Sequence, residues 1–213
     1  MTRAQLRAPA PVRVVWDGQS HNRVPAAPDN APTRAMTGLG VPWVNVANSG
    51  WGWESGGGVG GLAPSAPTRR DPQARGNGQT ILMMLGGQGD ATNGPGDNGQ
   101  ADAEECYARA ERYRDSAYAA GFDLVVGFTY PAIGPDVLGT GRPSPSEQAA
   151  IDGHNALMLD NADDWAAVVD CRTPPLDDGT DPTYYQIDRI HLTVAGAQVL
   201  ADLIRPVLLD LID

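Results

Sequence analysis

Near the end of the chain an aspartate and a histidine stand three residues apart, in Tyr185-Gln186-Ile187-Asp188-Arg189-Ile190-His191-Leu192-Thr193. A carboxylate at that spacing can meet the imidazole Nδ1, fix the ring's tautomer and leave Nε2 bare as a general base. Taken alone, the pair is equally a loop histidine with an acid nearby. Its complement lies at the other end of the sequence, in Val15-Trp16-Asp17-Gly18-Gln19-Ser20, where a serine follows a glycine turn after an apolar run. A serine hydroxyl is a weak nucleophile until an adjacent base takes its proton. Ser20 therefore matters chemically only where His191 reaches it, and is otherwise a turn former. The remaining histidines carry less. His21 adjoins Ser20 and is expected to point away if Ser20 points in, while His154 sits inside a helical stretch as a solvated or internally satisfied residue. No grouping of His, Asp, Glu or Cys has metal-ligand spacing, so neither a metal nor another cofactor is expected.

The elements that must bring Ser20 to His191 are readable as apolar runs. Val12–Trp16, Trp43–Ala47, Thr80–Leu85, Asp123–Phe128 and Ala166–Val169 are each continuous rather than alternating, and each ends at a turn signal. Continuous runs are what strands covered on both faces of a parallel sheet show. Helical patterns separate them. Ala101–Ala120 has the clearest period, Ser146–Asn161 opens on a Ser-Glu-Gln start signal, and Thr193–Ile212 closes the chain with Thr193 as N-cap. Alternation over this length predicts an α/β fold: one three-layer α/β/α sandwich over residues 1–213, with a flavodoxin-like parallel sheet of about five strands. Strand one is expected at its centre with the C-terminal helix beside it, and right-handed crossovers put every strand's C-terminal end on one edge. Residues 51–79 and 86–100, directly after strands two and three, are longer than simple connections. Gly56–Gly61 lies in the first of these, but without a following Lys-Ser/Thr it is a loop and not a phosphate cradle.

With these blocks in place, the chain resembles the SGNH, or GDSL-like, serine hydrolases along its whole length. Asp17-Gly18-Gln19-Ser20 is similar to the family's Gly-x-Ser block after strand one, in the Gly-Gln-Ser form of its sialate O-acetylesterase-like branch. Asn45-Val46-Ala47-Asn48-Ser49-Gly50 is similar to the second block, whose glycine N–H serves an oxyanion hole. Asp188-Arg189-Ile190-His191-Leu192-Thr193 is similar to the last block. The resemblance implies Ser20 as nucleophile, His191 as base, Asp188 as its partner, and the N–H groups of Ser20 and Gly50 in the oxyanion hole. The third block departs: where the family has Gly-x-Asn-Asp, this chain reads Gly87-Gln88-Gly89-Asp90. That leaves three alternatives: the Gln88 or Asn93 amide substitutes for the missing donor, the hole runs on the backbone N–H groups of Ser20, Gly50 and Gly89, or activity is weak or lost. Trp51 and Trp53, next to Gly50, either flank an acyl or sugar pocket or cover the loop core. The implied function is an esterase acting on acyl esters, acetyl esters of carbohydrate or cell-envelope material being favoured. A reading from another class is a non-catalytic SGNH-like structural or glycan-binding module of a phage particle, since actinobacterial phages carry such proteins among their tail components. The α/β-hydrolase pattern fits worse: its Gly-x-Ser-x-Gly elbow would need glycine where Asn22 stands, and its acid and histidine are well separated in sequence.

Composition bounds the partners. Fifteen basic residues, all arginine, against 26 acidic ones leave a formal charge of −11, which opposes binding to nucleic acid or to anionic membrane surfaces. No stretch has the length of a signal-peptide core or of a membrane span, so membrane insertion is not expected and a cytoplasmic or virion-associated protein is. The two cysteines, Cys106 and Cys171, lack the spacing of a zinc site or a disulfide framework and read as ordinary, partly buried thiols.

Overall fold

The structure is a computed structural model that describes residues 11–48, 53, 62–74, 78–92, 102–135 and 143–213. Its strands are β1 (Val12–Gly18), β2 (Trp43–Asn45), β3 (Gln79–Leu85), β4 (Leu124–Phe128) and β5 (Ala167–Val169). Its helices are α1 (Ala31–Met36), α2 (Leu62–Arg69), α3 (Gln88–Thr92), α4 (Ala103–Ala120), α5 (Pro145–Asp160) and α6 (Val194–Ile212). The strands form one five-stranded sheet in the order β2-β1-β3-β4-β5, parallel at every pairing. The central strand is thus β3, not β1 as the sequence suggested. β1 is an inner strand beside it, hydrogen-bonded on both sides.

Successive side chains of a strand face opposite ways, and here each face meets a helical layer. Val14 and Trp16 of β1 with Ile81, Met83 and Leu85 of β3 pack against Ala31, Ala35 and Met36 of α1 and Leu200, Ile204 and Leu208 of α6. Val15 with Leu82 and Met84 packs on the opposite side, against Leu62 and Ala66 of α2 and Tyr107, Ala110, Tyr113 and Ala117 of α4. Both faces are buried under apolar side chains, which is why the strands read as unbroken apolar runs.

The helix starts follow side-chain chemistry. Asp102 caps α4 by accepting from Glu105 N–H, and Thr193 caps α6 by accepting from Gly196 N–H. α5 begins at Pro145, one residue before the start read from Ser146, and its N-cap is Ser144. Ser144 accepts from the Glu147 N–H and Glu147 reaches back to the Ser144 N–H, a reciprocal box that Ser146 cannot make because its third residue on is Ala149. The two long connections are partly helical, holding α2 and α3. α2 contains Pro67, and its anchor is charge: Arg69 is bonded to the fully buried Asp17 at the end of β1, which also accepts from the Tyr113 hydroxyl of α4. Arg69 donates as well to the Val46 carbonyl at 2.9 Å. Cys106 and Cys171 are both fully buried and carry no disulfide, where the sequence suggested partly buried thiols.

Candidate active site

β1 delivers Ser20 to the C-terminal edge of the sheet through a turn that only glycine permits. Gly18 has φ +135°, and a Cβ there would lie 1.9 Å from the carbonyl oxygen of Leu85. The same carbonyl accepts from Gln19 N–H at 3.2 Å and from the Asn22 side chain at 2.7 Å. Asn22 thereby clamps the single 3-10 turn Ser20–Asn22 against the end of β3. Asn22 is a residue whose role the sequence reading missed. Its signal, an amide two residues after the serine, says little until β1 and β3 are known to be neighbours.

The other half of the site is the turn between Tyr185 and Leu192, which are joined by an antiparallel bridge. Arg189 takes a left-handed conformation, φ 60°, uncommon for a residue with a side chain. It reverses the chain so that Asp188 and His191 share one side. Asp188 Oδ1 accepts from the N–H groups of Ile190 and His191, both at 3.0 Å. Its Oδ2 lies 2.6 Å from His191 Nδ1, and His191 Nε2 lies 2.9 Å from Ser20 Oγ. Burial alone would raise the Asp188 pKa, but these hydrogen bonds outweigh it and hold the carboxyl below its usual range. An ionised carboxylate only accepts, so the His191 proton is on Nδ1 and Nε2 is free to accept from Ser20. The arrangement can withdraw the hydroxyl proton of a serine that is 8% exposed.

The expected oxyanion donors are placed less simply. Gln88 is the first residue of α3 and buried. Its Oε1 accepts from Gln19 Nε2 at 3.2 Å, and its Nε2 is 3.4 Å from the Pro131 carbonyl. The Gly89 N–H donates to Gln19 Oε1 at 3.2 Å, so it is already engaged. Gly50, Trp51 and Asn93 lie outside the described residues. Trp53 is corrected. It is 2% exposed, stacks on Tyr113 with ring centroids 4.7 Å apart, and its backbone N–H donates to Asp90. It covers the loop core, where a Cβ on Gly87 would meet its indole at 2.0 Å.

Both other histidines also depart from expectation. His21 is not turned away from the site: its ring centroid is 6.0 Å from that of His191, and its Nε2 bonds the Ile190 carbonyl. Burial, then the neighbouring His191, lowers its pKa to about 4. His154 is neither solvated nor internally satisfied. It is buried, stacked on Tyr130 at 3.9 Å, and its Nδ1 has no hydrogen-bond partner among the described residues. Burial lowers its pKa to about 3. Among the described residues, no three His, Cys, Asp or Glu side chains group as metal ligands, and no helix is long and apolar enough to cross a membrane.

Neither a family model nor a curated protein sequence matches the chain, but solved structures do. A putative acylhydrolase from Bacteroides fragilis superposes with a TM-score of 0.69 at 16% identity, over 97% of this chain and 93% of that one. An acetyl xylan esterase superposes with a TM-score of 0.65 at 14% identity, over 90% of this chain and 97% of that one. A putative SGNH hydrolase from Slackia heliotrinireducens gives 0.64 at 17% identity, over 93% and 99%. The fold is that of the SGNH hydrolases. Within the SGNH frame, Ser20 stands at the end of β1, Gln88 and Gly89 just past the end of β3, and His191 just before α6. Three stretches far apart in sequence are thereby brought to one edge.

Proposed function

We propose that the chain is a serine ester hydrolase that works through an acyl-Ser20 intermediate. The observation that carries this is the unbroken line from Ser20 Oγ through His191 to Asp188, at 2.9 and 2.6 Å. Ser20 Oγ attacks the acyl carbonyl carbon as His191 Nε2 takes the hydroxyl proton, and Asp188 stabilises the imidazolium. The oxyanion formed on the carbonyl oxygen is met by the Ser20 and Gly50 N–H groups and by the amide hydrogen of Gln88 not directed at Pro131. Gly89 serves only if Gln19 releases it. Breaking of the ester C–O bond expels the alcohol, which leaves with the proton from His191. Water then repeats the sequence on the acyl-enzyme, releasing the acid and regenerating Ser20.

Acetyl esters of carbohydrate or cell-envelope material are the favoured substrates. The Gly18-Gln19-Ser20 block and the likeness in fold to an acetyl xylan esterase support that choice. Trp51 would contribute to the pocket, while Trp53 covers the loop core. The second reading, a non-catalytic module of a phage particle with glycan or virion partners, draws support from the engagement of Gly89 and Gln88 by Gln19 and Pro131. A fluorophosphonate probe separates the two. It should label the wild-type protein at one site and leave Ser20→Ala unlabelled. A folded wild-type protein that takes no label gives the lead to the module.

A further inference from the structure

A second hydrogen-bonded line runs beside the first. The Gly89 N–H donates to Gln19 Oε1 at 3.2 Å. Gln19 Nε2 lies 3.2 Å from His21 Nδ1 and 3.2 Å from Gln88 Oε1. His21 Nε2 lies 3.1 Å from the Ile190 carbonyl oxygen. Gln19, His21 and Gln88 are all buried.

The two ends of this line are peptide groups of fixed polarity, and they assign every proton between them. A peptide N–H only donates, so Gln19 must face Gly89 with its oxygen. Its NH₂ then faces both Gln88 Oε1 and His21 Nδ1. A carbonyl only accepts, so His21 must carry its proton on Nε2. The ring is therefore neutral, with Nδ1 bare. A second proton on Nδ1 would set N–H against N–H at a site 1% exposed, where an unpaired donor is costly. Burial and the nearby His191 depress the His21 pKa in the same sense. The titratable groups that face the ring are His191 and Asp188.

What the ring holds is specific. The Ile190 carbonyl and the His191 N–H belong to one peptide plane. His21 grips its oxygen, and Asp188 Oδ1 grips its hydrogen at 3.0 Å. A plane fixed from both sides sets the direction in which His191 leaves the backbone. We infer that His21 is a positioning residue: its Nε2–H fixes the Ile190–His191 peptide so that His191 stays at Ser20, while Gln19, anchored on Gly89, keeps the His21 ring uncharged beside the imidazolium formed on His191. The triplet Gln19-Ser20-His21 thus couples the strand ends of β1 and β3 to the histidine turn.

The kinetic part of the inference rests on the hydrolase reading; the tautomer part does not. Nitrogen-15 NMR of histidine-labelled protein, wild type and Ser20→Ala, should show His21 neutral and protonated on Nε2 at pH 7, and still neutral at pH 5. With p-nitrophenyl acetate, His21→Phe should lower kcat roughly tenfold or more with KM within about twofold, as when a group acts on the transition state through geometry. His21→Gln, whose terminal amide can still donate to the Ile190 carbonyl, should recover most of that loss. A charged His21, or one protonated on Nδ1 at pH 7, overturns the inference whatever the variants do. So does a His21→Gln that folds yet is no better than His21→Phe. An inactive wild-type protein whose His21 shows the Nε2–H form would count against the hydrolase reading and for the hydrogen-bonded line.

Discussion

Asp188 does more than face an imidazole. One of its oxygens holds two backbone N–H groups and the other holds His191 Nδ1. In Asp188→Asn the amide oxygen is retained by the two N–H donors, which turns the NH₂ toward Nδ1. The ring must then carry its proton on Nε2, where it cannot accept from Ser20. The expected result is a fall in p-nitrophenyl acetate kcat of up to ~10⁴-fold, with His191→Ala abolishing turnover. Wild-type kcat in His191→Ala would remove the base assignment. These three residues could be read from sequence because each sits in a short motif whose spacing carries its geometry. Trp53, His21 and His154 could not. Whether an indole lines a pocket or fills a core depends on what packs over it, and Tyr113, some sixty positions away, decides that.

At the scale of elements, the strands were legible because a parallel sheet covered on both faces leaves a continuous apolar run, and all five runs became strands of one sheet. The central position of β3 was not legible, since strand order follows from crossovers and not from any strand's own residues. Nor was α2, whose Gly/Pro-rich surroundings look like loop. What holds α2 is the pair between Arg69 and Asp17, neither of them much exposed. Asp17 also accepts from the Gly18 N–H at 2.7 Å, so it supports the turn into Ser20 as well as the helix. Removing one partner of a buried pair strands the other charge, at a cost of ~3–5 kcal/mol. Asp17→Ala should therefore lower unfolding free energy by about that much in urea and expose residues 62–74 to protease before global unfolding. A loss under ~1 kcal/mol would mean that water already reaches Arg69.

Over the whole molecule, two buried neutral histidines give the fold a built-in acid sensitivity. The ordinary histidine pKa of 6.5 falls to about 4 at His21 and to about 3 at His154. Once pH drops below about 6.5, the unfolded chain binds a proton at each site that the folded chain refuses until pH nears those lower values. Stability is then unaffected by these sites above that point and declines as pH falls below it, with a slope approaching ~1.4 kcal/mol per pH unit for each. Asp188, depressed in the fold, adds loss in the same direction at lower pH. The two histidines can be separated because only His21 belongs to the hydrogen-bonded line at the site. His154 lies against Tyr130 with an Nδ1 that has no hydrogen-bond partner among the described residues, so His154→Phe keeps a stacked ring while removing both that polar atom and the titration. Urea titrations between pH 4.5 and 7 should show that variant at least as stable as wild type at pH 7, with about one proton less in its pH slope. His154→Ala should share the reduced slope but be destabilised at every pH by ~2–4 kcal/mol, because it leaves a cavity under Tyr130. Neither substitution alters a carboxylate, and burial is the cause of the His154 shift, so the comparison isolates the histidine. An unchanged slope in His154→Phe would show that the folded protein admits a proton at His154, and with it water between α5 and the sheet.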